Sequence, residues 1–566
     1  MLNNDHESFA AAQARAAAAV SCESVVLPSG LTVLCRTMPG YSSVHAIYAT
    51  GFGSVHRAFR LDGKQVTLPA GTAHFLEHKM CETPKGDSFT FYAKTGASAN
   101  AFTSYDRTCY LFSATQKIDE NLDILLGMVG KPWFTKATIA KEQGIIGQEI
   151  KMYDDSPDWR LLNALFRCLY ADHPLRDDIA GTVESIAELT PQMLYSCTRG
   201  FYAPSNMVLS VAGKITLAQA VDACKRNGLY RARAPHEVEW DIPAQTGPLP
   251  HKEAFFTMPV TKPCFGVAYR EEPLAEGDLK RELLLDMLGD LVVGGLTKLY
   301  RRLYDEALVN PEFSGDFIAV RGACTVAFTG ESDTPRQVVD LLQEEIERMR
   351  REGVDPEVFM LVKNQMYGEL LGDVEAVDDA AEEAAAACLK GRTLADEIAA
   401  LAALTVEDAN ALLQTALREE NRAYVQIDPA ENTRLVENGL SCAISRVGPG
   451  SDGQPRGAGH RWVQHLLVRR HHRGGHAAGD ALRLPQCRGL RHRLGPSGGR
   501  CGHRHGHGHR LCPYLLRSYG TLCVSKPLGD DRHPQGRHRH LWRGHRRVCV
   551  RRPGRQMAQG AAAAVV

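Results

Sequence analysis

The sequence predicts an α+β protein of two similar units, each combining an antiparallel sheet with helices. Stretches of alternating apolar and polar residues, which indicate strands, are followed by apolar residues at helical spacing. The same order of elements recurs about 220 residues later, and a polar, Pro-rich segment at 231–250 separates the copies. We therefore expect an N-terminal helical lead at 1–23, a first unit at 24–230 and a second unit at 251–430.

The elements of the first unit follow from local patterns. Residues 24–35 alternate around Ser29 and Gly30, which predicts a β-hairpin. Apolar residues at helical spacing predict a helix over 138–152. The other elements expected in this unit are strands at 44–50, 109–115 and 207–213 and a helix at 120–130.

The second unit repeats this order with a strand at 324–330 and helices at 335–350 and 356–371. Its last helix contains NQMYGEL, which aligns with GIIGQEI of the first unit. In that alignment Glu369 stands opposite Glu149.

The sequence of 566 residues excludes an integral membrane protein, because no stretch reaches the ~18 uninterrupted apolar residues that a membrane helix needs. The amino terminus lacks the basic flank and apolar core of a secretory signal. Eleven cysteines precede residue 446 and none forms a CxxC pair, which favours free thiols over a disulfide framework. We expect a cytoplasmic protein.

Residues 446–566 differ from the rest of the chain. They contain 23 Arg, one Lys, four Asp and no Glu, a formal charge of +20, so the preceding residues carry −20. Three interpretations compete: a metal-binding tract through His503, His505, His507 and His509, a nucleic-acid-binding patch, or GC-rich DNA translated out of frame. We favour the third, because the segment lacks Ile, Phe and Asn and shows no periodic pattern. The tail is expected to be disordered or out of frame, and nucleic acid is not expected as a partner.

The motif His74-Phe75-Leu76-Glu77-His78 carries the most specific chemistry in the sequence. On a helix, His74 and His78 lie one turn apart on one face, where both imidazoles can bind one zinc ion. Glu77 precedes the second histidine, so its carboxylate can reach a water at the ion without being a ligand. This order is the inverted form of the HExxH metalloprotease motif.

A zinc peptidase also needs a third protein ligand, and KEQGIIGQEI supplies two candidates. Glu142 and Glu149 are seven residues apart and so share a helix face. One can bind the ion while the other holds a ligand or the substrate.

Three stretches together resemble the pitrilysin/insulinase family of zinc peptidases, which includes the mitochondrial processing peptidases. They are GTAHFLEHKM, GASANAFTSYDRTCYLFSAT and KEQGIIGQEIKMYDD, and the likeness extends from about residue 24 to about 430. The sequence most resembles the family's short bacterial branch of processing-protease-like proteins.

The resemblance implies roles for the residues of the motifs. His74, His78 and Glu149 match the ligands of one zinc ion per chain, Glu77 matches the general base, and Glu142 matches a supporting acid. It further implies that a strand binds an extended peptide substrate by β-addition, with Asn100 orienting the backbone near the scissile bond. The residues that match this strand are Asn100, Ala101, Phe102 and Thr103.

The second unit has GGLTKLYRRLYDEALV where the motif is expected, without histidine and without an acid at the metal positions. The resemblance implies that this unit closes a clam-like chamber over the peptide. We expect a zinc-dependent endopeptidase acting on short or unfolded peptides, either as a homodimer or paired with a homologue that lacks the motif. The alternative is a non-catalytic subunit that binds peptides for transfer or assembly. The retained motif disfavours this alternative, because a protein that only binds peptides has no use for a base beside an open metal position.

Overall fold

The computed structural model describes residue 18 and residues 20–430, except for 233, 235, 241, 243, 244 and 246. The predicted tail and most of the predicted N-terminal lead lie outside the described residues. Within the described part, none of the helices combines the length and the apolar character needed to cross a lipid bilayer.

The strands of the first half form one large sheet and two small ones. They are β1 (Glu23–Val26), β2 (Thr32–Thr37), β3 (Val44–Thr50), β4 (Ala58–Leu61), β5 (Lys64–Thr67), β6 (Glu82–Thr83), β7 (Gly86–Asp87), β8 (Ser98–Thr103), β9 (Thr108–Ala114), β10 (Met207–Gly213) and β11 (Val238–Trp240). The large sheet has the order β1-β2-β10-β3-β9-β8, so β8 lies at its edge. All its pairs are antiparallel except β10 with β2.

The helices of the first half carry the predicted motifs. They are α1 (Thr72–Met80), α2 (Ser88–Thr95), α3 (Ile118–Gly130), α4 (Lys136–Asp154), α5 (Pro157–Leu169), α6 (Val183–Ala187), α7 (Pro191–Phe201) and α8 (Leu217–Arg226). The predicted hairpin is confirmed as β1 and β2, with Gly30 at a φ of 88° in the turn. The predicted helices at 120–130 and 138–152 are confirmed as α3 and α4.

The second half repeats the large sheet. Its strands are β12 (Glu253–Met258), β13 (Cys264–Glu271), β14 (Ser314–Val320), β15 (Ala323–Glu331) and β16 (Arg422–Pro429). Their order, β12-β16-β13-β15-β14, matches β2-β10-β3-β9-β8, and β12 pairs with β16 in parallel as β2 does with β10. Two similar mixed α/β domains are therefore confirmed.

The helices of the second half also follow the order of the first. They are α9 (Leu279–Val293), α10 (Lys298–Asp305), α11 (Pro335–Glu352), α12 (Pro356–Asp373), α13 (Val377–Leu389), α14 (Leu394–Ala403) and α15 (Val406–Leu413). Helix α9 packs on β14 and α12 in the same way that α1 packs on β8 and α4.

The two halves exchange one helix each. Helix α5 of the first half packs on β13 and β16 of the second sheet, and α13 of the second half packs on β2, β3 and β10 of the first sheet. Leu165 of α5 is fully buried, and a Cβ added to Gly266 on β13 would lie 2.7 Å from its Cδ1. The alanine-rich face of α13 allows a similarly close approach, because its side chains are small. Each half therefore completes the core of the other.

The segment expected to be a linker also contributes to the first half. Its strand β11 pairs antiparallel with β4, and the Trp240 ring lies 4.8 Å from the ring of Phe201 and 4.1 Å from that of His56. The cysteines of the described part are free and mostly buried, as the absence of a CxxC pattern predicted.

Candidate metal centre

Helix α1 carries the HxxEH motif and is buried along nearly its whole length. It begins after Gly71, whose φ of 86° favours glycine and where an added Cβ would lie 2.4 Å from the carbonyl oxygen of Ala180. Within the helix, His74 and His78 lie one turn apart, with ring centroids separated by 4.7 Å. The sequence spacing thus produces the shared face that it predicted.

Helix α4 brings the acidic residues to this face. Thr135 caps its N-terminus by accepting the backbone N–H of Thr138, and Ile139 and Ile146 on the helix are buried in the core. Because this packing fixes the rotation of the helix, Glu142 and Glu149 both point towards α1, where each contacts a histidine.

Three side chains converge on one point. Nε2 of His74 lies 3.8 Å from Oε1 of Glu149, and Nε2 of His78 lies 3.6 Å from its Oε2. Ligand atoms of these three residues lie within 4.8 Å of one another, and they form the one such histidine, cysteine or carboxylate group found among the described residues. Tetrahedral zinc with bonds of about 2.0–2.1 Å places its ligand atoms about 3.4 Å apart, so the three residues fit zinc.

The hydrogen bond of His78 supports the same fit. Its Nδ1 lies 3.0 Å from Oε1 of Glu142, and because an ionised carboxylate only accepts, Nδ1–H is the donor. This leaves the lone pair of Nε2 directed at Glu149, the arrangement typical of a metal-binding histidine held by a carboxylate. Glu142, predicted as the supporting acid, is thus placed against His78, one of the predicted ligands.

Burial and neighbouring charges set the protonation of the site. Burial, followed by the charge of His78, holds the pKa of His74 well below its usual value, which keeps the ring neutral as a ligand requires. Burial is the largest single effect and opposes the charged forms of His78 and Glu142, but their mutual hydrogen bond and the neighbouring charges together outweigh it, raising the pKa of His78 and lowering that of Glu142.

Glu77 lies beside this group without belonging to it. Its Oε2 accepts the hydroxyl proton of Thr103 at 2.7 Å. Burial raises the pKa of Glu77 to about 7, within the range that suits a general base. The contact with Thr103 was not predicted from sequence, because 26 residues separate the pair and only the packing of α1 on β8 brings them together.

The residues predicted to bind the peptide lie on β8, the edge strand of the large sheet. Asn100 and Phe102 are half-buried, whereas Ala101 and Thr103 point into the protein and are buried. Among the described residues no strand pairs with the outer side of β8.

A further residue of the site was missed at the level of sequence. The hydroxyl of Tyr153 donates to Oε1 of Glu149 at 2.7 Å. Burial and the Glu149 carboxylate raise the pKa of Tyr153 far above its usual value, so the hydroxyl keeps its proton. The spacing of four residues on one helix places the two side chains together, and this signal was available in the sequence.

The corresponding helices of the second half, α9 and α12, contain no histidine. Glu369 on α12, which aligns with Glu149, accepts a hydrogen bond from Nε2 of Gln365 at 3.0 Å. A cavity of about 440 Å³ lies between the two halves, lined among others by Arg107 and Trp159 of the first half and Glu282 of the second.

Comparison with known proteins agrees with this geometry. Residues 67–183 match the family described as Insulinase (Peptidase family M16), and residues 188–366 match the Peptidase M16 inactive domain. The uncharacterized zinc protease YmfH of Bacillus subtilis (strain 168) is 34% identical over 412 residues, which cover 71% of this chain and 95% of YmfH.

Two solved structures illustrate the fold. A putative M16-like peptidase from Alicyclobacillus acidocaldarius is 33% identical, with a TM-score of 0.70 over 72% of this chain and 98% of that one. The periplasmic protease PqqL from Escherichia coli is 20% identical with a TM-score of 0.57, and the match covers 76% of this chain but 52% of PqqL. With its inverted motif in the first domain, this chain belongs to the insulinase family of peptidases, Peptidase family M16.

Proposed function

We propose that this chain is a zinc-dependent endopeptidase that hydrolyses short or unfolded peptides. The observation that carries the proposal is the convergence of His74, His78 and Glu149 on one point, with the buried carboxylate of Glu77 close enough to interact electrostatically with His78 and Glu149. The relatives named as zinc proteases support the same activity.

One zinc ion per chain would be held by His74, His78 and Glu149. When bound, zinc supplies Lewis acidity, which lowers the pKa of a water molecule and polarises a peptide carbonyl. Oε2 of Glu77 is occupied by the Thr103 hydroxyl, so Oε1 is the atom that takes a proton and later returns it to the leaving amine. Glu142 holds the ring of His78 in place through Nδ1.

The substrate would bind along β8. An extended peptide can add to the outer side of this edge strand through main-chain hydrogen bonds, which fix its position with little regard to its sequence. Asn100, half-buried on this strand, is suited to orient the peptide backbone near the scissile bond. Ala101, Phe102 and Thr103 provide the remainder of the strand.

Longer family members suggest a partner. Because the match to PqqL spans about half of that protein, a second unit of this size is expected to complete the surface around the substrate. We propose a second copy of this chain or a homologue without the motif. The free cysteines favour a reducing compartment such as the cytoplasm.

The test is to measure zinc content and cleavage of a fluorogenic peptide by the purified chain, before and after removal and return of zinc. Glu77→Gln keeps the shape of the side chain but removes its basicity, so this variant is expected to retain zinc and lose cleavage. Cleavage by zinc-loaded Glu77→Gln at the wild-type rate would contradict the role of Glu77. If the wild-type protein binds zinc and peptide without cleaving it, the non-catalytic subunit is the better description.

A further inference from the structure

The carboxylate of Glu149 is held by Tyr153, which lies one turn further along the same helix. The Tyr153 hydroxyl donates to Oε1, the same oxygen that lies 3.8 Å from Nε2 of His74. The last torsion of a glutamate side chain is broad and weakly restrained by itself. The hydrogen bond therefore restricts the rotation that decides which lone pairs of Glu149 face His74 and His78.

Tyr153 is itself held by a neighbouring helix. Its ring lies 5.6 Å from the ring of Trp159, near the start of α5. The indole Nε1–H of Trp159 donates to Oδ2 of Asp178 at 2.5 Å, and Nδ2 of Asn163 donates to the same oxygen at 3.2 Å. Trp159 is thus fixed by hydrogen bonding as well as by packing, and it limits the positions open to Tyr153.

The loop that carries Asp178 also contacts the helix with the two histidines. Oδ1 of Asp178 accepts the backbone N–H of Ala180 at 2.8 Å, and the Ala180 carbonyl packs against Gly71 at the start of α1. In the same region the hydroxyl of Ser185 donates to the carbonyl of Ala70 at 2.8 Å. One loop therefore reaches both Glu149, through Trp159 and Tyr153, and the beginning of the helix that carries His74.

We propose that Tyr153, Trp159 and Asp178 are positioning residues for zinc, because together they set the Glu149 carboxylate relative to the imidazoles of His74 and His78. This inference rests on the proposed function, since it concerns the same zinc site. Residues that orient a ligand in this way typically change metal affinity by about 10- to 100-fold when altered.

A purely structural role makes a different prediction. Removing a buried hydroxyl that only supports packing destabilises the zinc-free protein and leaves the affinity of the folded protein for zinc unchanged. Tyr269 supplies a matched control, because it is fully buried in the second half and its hydroxyl donates to Oε1 of Gln343 at 3.0 Å. Tyr269→Phe removes a similar hydrogen bond away from the metal centre.

The experiment compares Tyr153→Phe with Tyr269→Phe in the full chain. Zinc affinity is measured by competition with a chromophoric chelator, and the unfolding midpoint is measured on the zinc-free proteins. Tyr153→Phe is expected to weaken zinc binding by about 10- to 100-fold, whereas Tyr269→Phe stays within about two-fold of the wild type. In zinc-saturated enzyme, kcat is expected to fall with KM nearly unchanged, because Tyr153 acts on the metal ligand and not on the bound peptide.

A second variant covers the case in which Tyr153→Phe does not fold. Trp159→Phe keeps an aromatic ring against Tyr153 but loses the hydrogen bond to Asp178, so a several-fold loss of zinc affinity is expected. Zinc affinities of the folded variants within about two-fold of the wild type would overturn the inference while leaving the proposed function intact. A wild-type protein that binds no zinc would overturn both.

Discussion

The exchange of helices between the two halves predicts that they unfold together. Leu165 on α5 is fully buried against the second sheet, so Leu165→Ala removes apolar contacts that join the halves. A buried leucine truncated to alanine costs about 2–5 kcal/mol, and the tight fit against Gly266 argues for about 3 kcal/mol or more. Because each half covers the other's sheet, we expect a single thermal transition at a lower temperature.

The assay is thermal unfolding, with hydrogen exchange measured separately in β3 and β10 of the first sheet and in β13 and β16 of the second. Leu342→Ala is a change within the second half itself, since Leu342 is fully buried in its core. Either variant is expected to lower the protection of both sheets against hydrogen exchange. Leu361→Ala is the control, because this side chain is 44% exposed and its loss should change stability by less than about 0.5 kcal/mol. Two separate transitions, with only the altered half shifted, would refute the reasoning.

Two further predictions concern buried carboxylates. Glu142→Gln weakens the hydrogen bond that holds His78, so we expect zinc affinity, measured by chelator competition, to fall by about ten-fold or more; an unchanged affinity would contradict the role given to Glu142. Burial raises the pKa of Glu271 from its ordinary 4.5 to about 7, so the folded protein retains a proton that the unfolded chain releases. Stability should therefore decrease as pH rises from about 4.5 to about 7, by up to about 3 kcal/mol from this group. Urea unfolding of Glu271→Gln across this range should show a weaker decrease, and identical pH profiles for variant and wild type would contradict the assignment.

Local patterns predicted that His74, His78 and Glu149 come together because the geometry of a helix converts spacing directly into position. The histidines of α1 are four residues apart and the acids of α4 seven apart, so each pair had to share a face wherever the helices packed. The internal repeat and the order of its strands and helices were also predictable from the sequence. The pairing of Tyr153 with Glu149 has the same local origin, but a tyrosine four residues after a glutamate is too common to be singled out.

Contacts between distant elements could not be read from such patterns. Thr103 reaches Glu77, and Asp178 reaches Trp159, only because strands and loops are brought together by the tertiary fold. The exchange of α5 and α13 between the two sheets could likewise not be predicted from the sequence. The spacing of apolar residues shows that a helix buries one face, but it does not show which of two similar sheets that face covers.

The two halves also differ in how their helices balance charge. In the second half, Glu282 on α9 pairs with Lys390 and Arg392, and these partners lower its pKa to about 2 although burial acts in the opposite direction. The chain's own cations therefore neutralise this carboxylate.

In the first half, three carboxylates and two imidazoles lie together in buried positions between α1 and α4. Glu142 hydrogen-bonds to His78, and both carboxylate oxygens of Glu149 face the histidines. Concentrated negative charge away from water is costly unless a cation compensates for it. Among the described residues, only the first half groups histidines and a carboxylate in a way that could hold a cation, and the difference lies in the residues that face the corresponding helices.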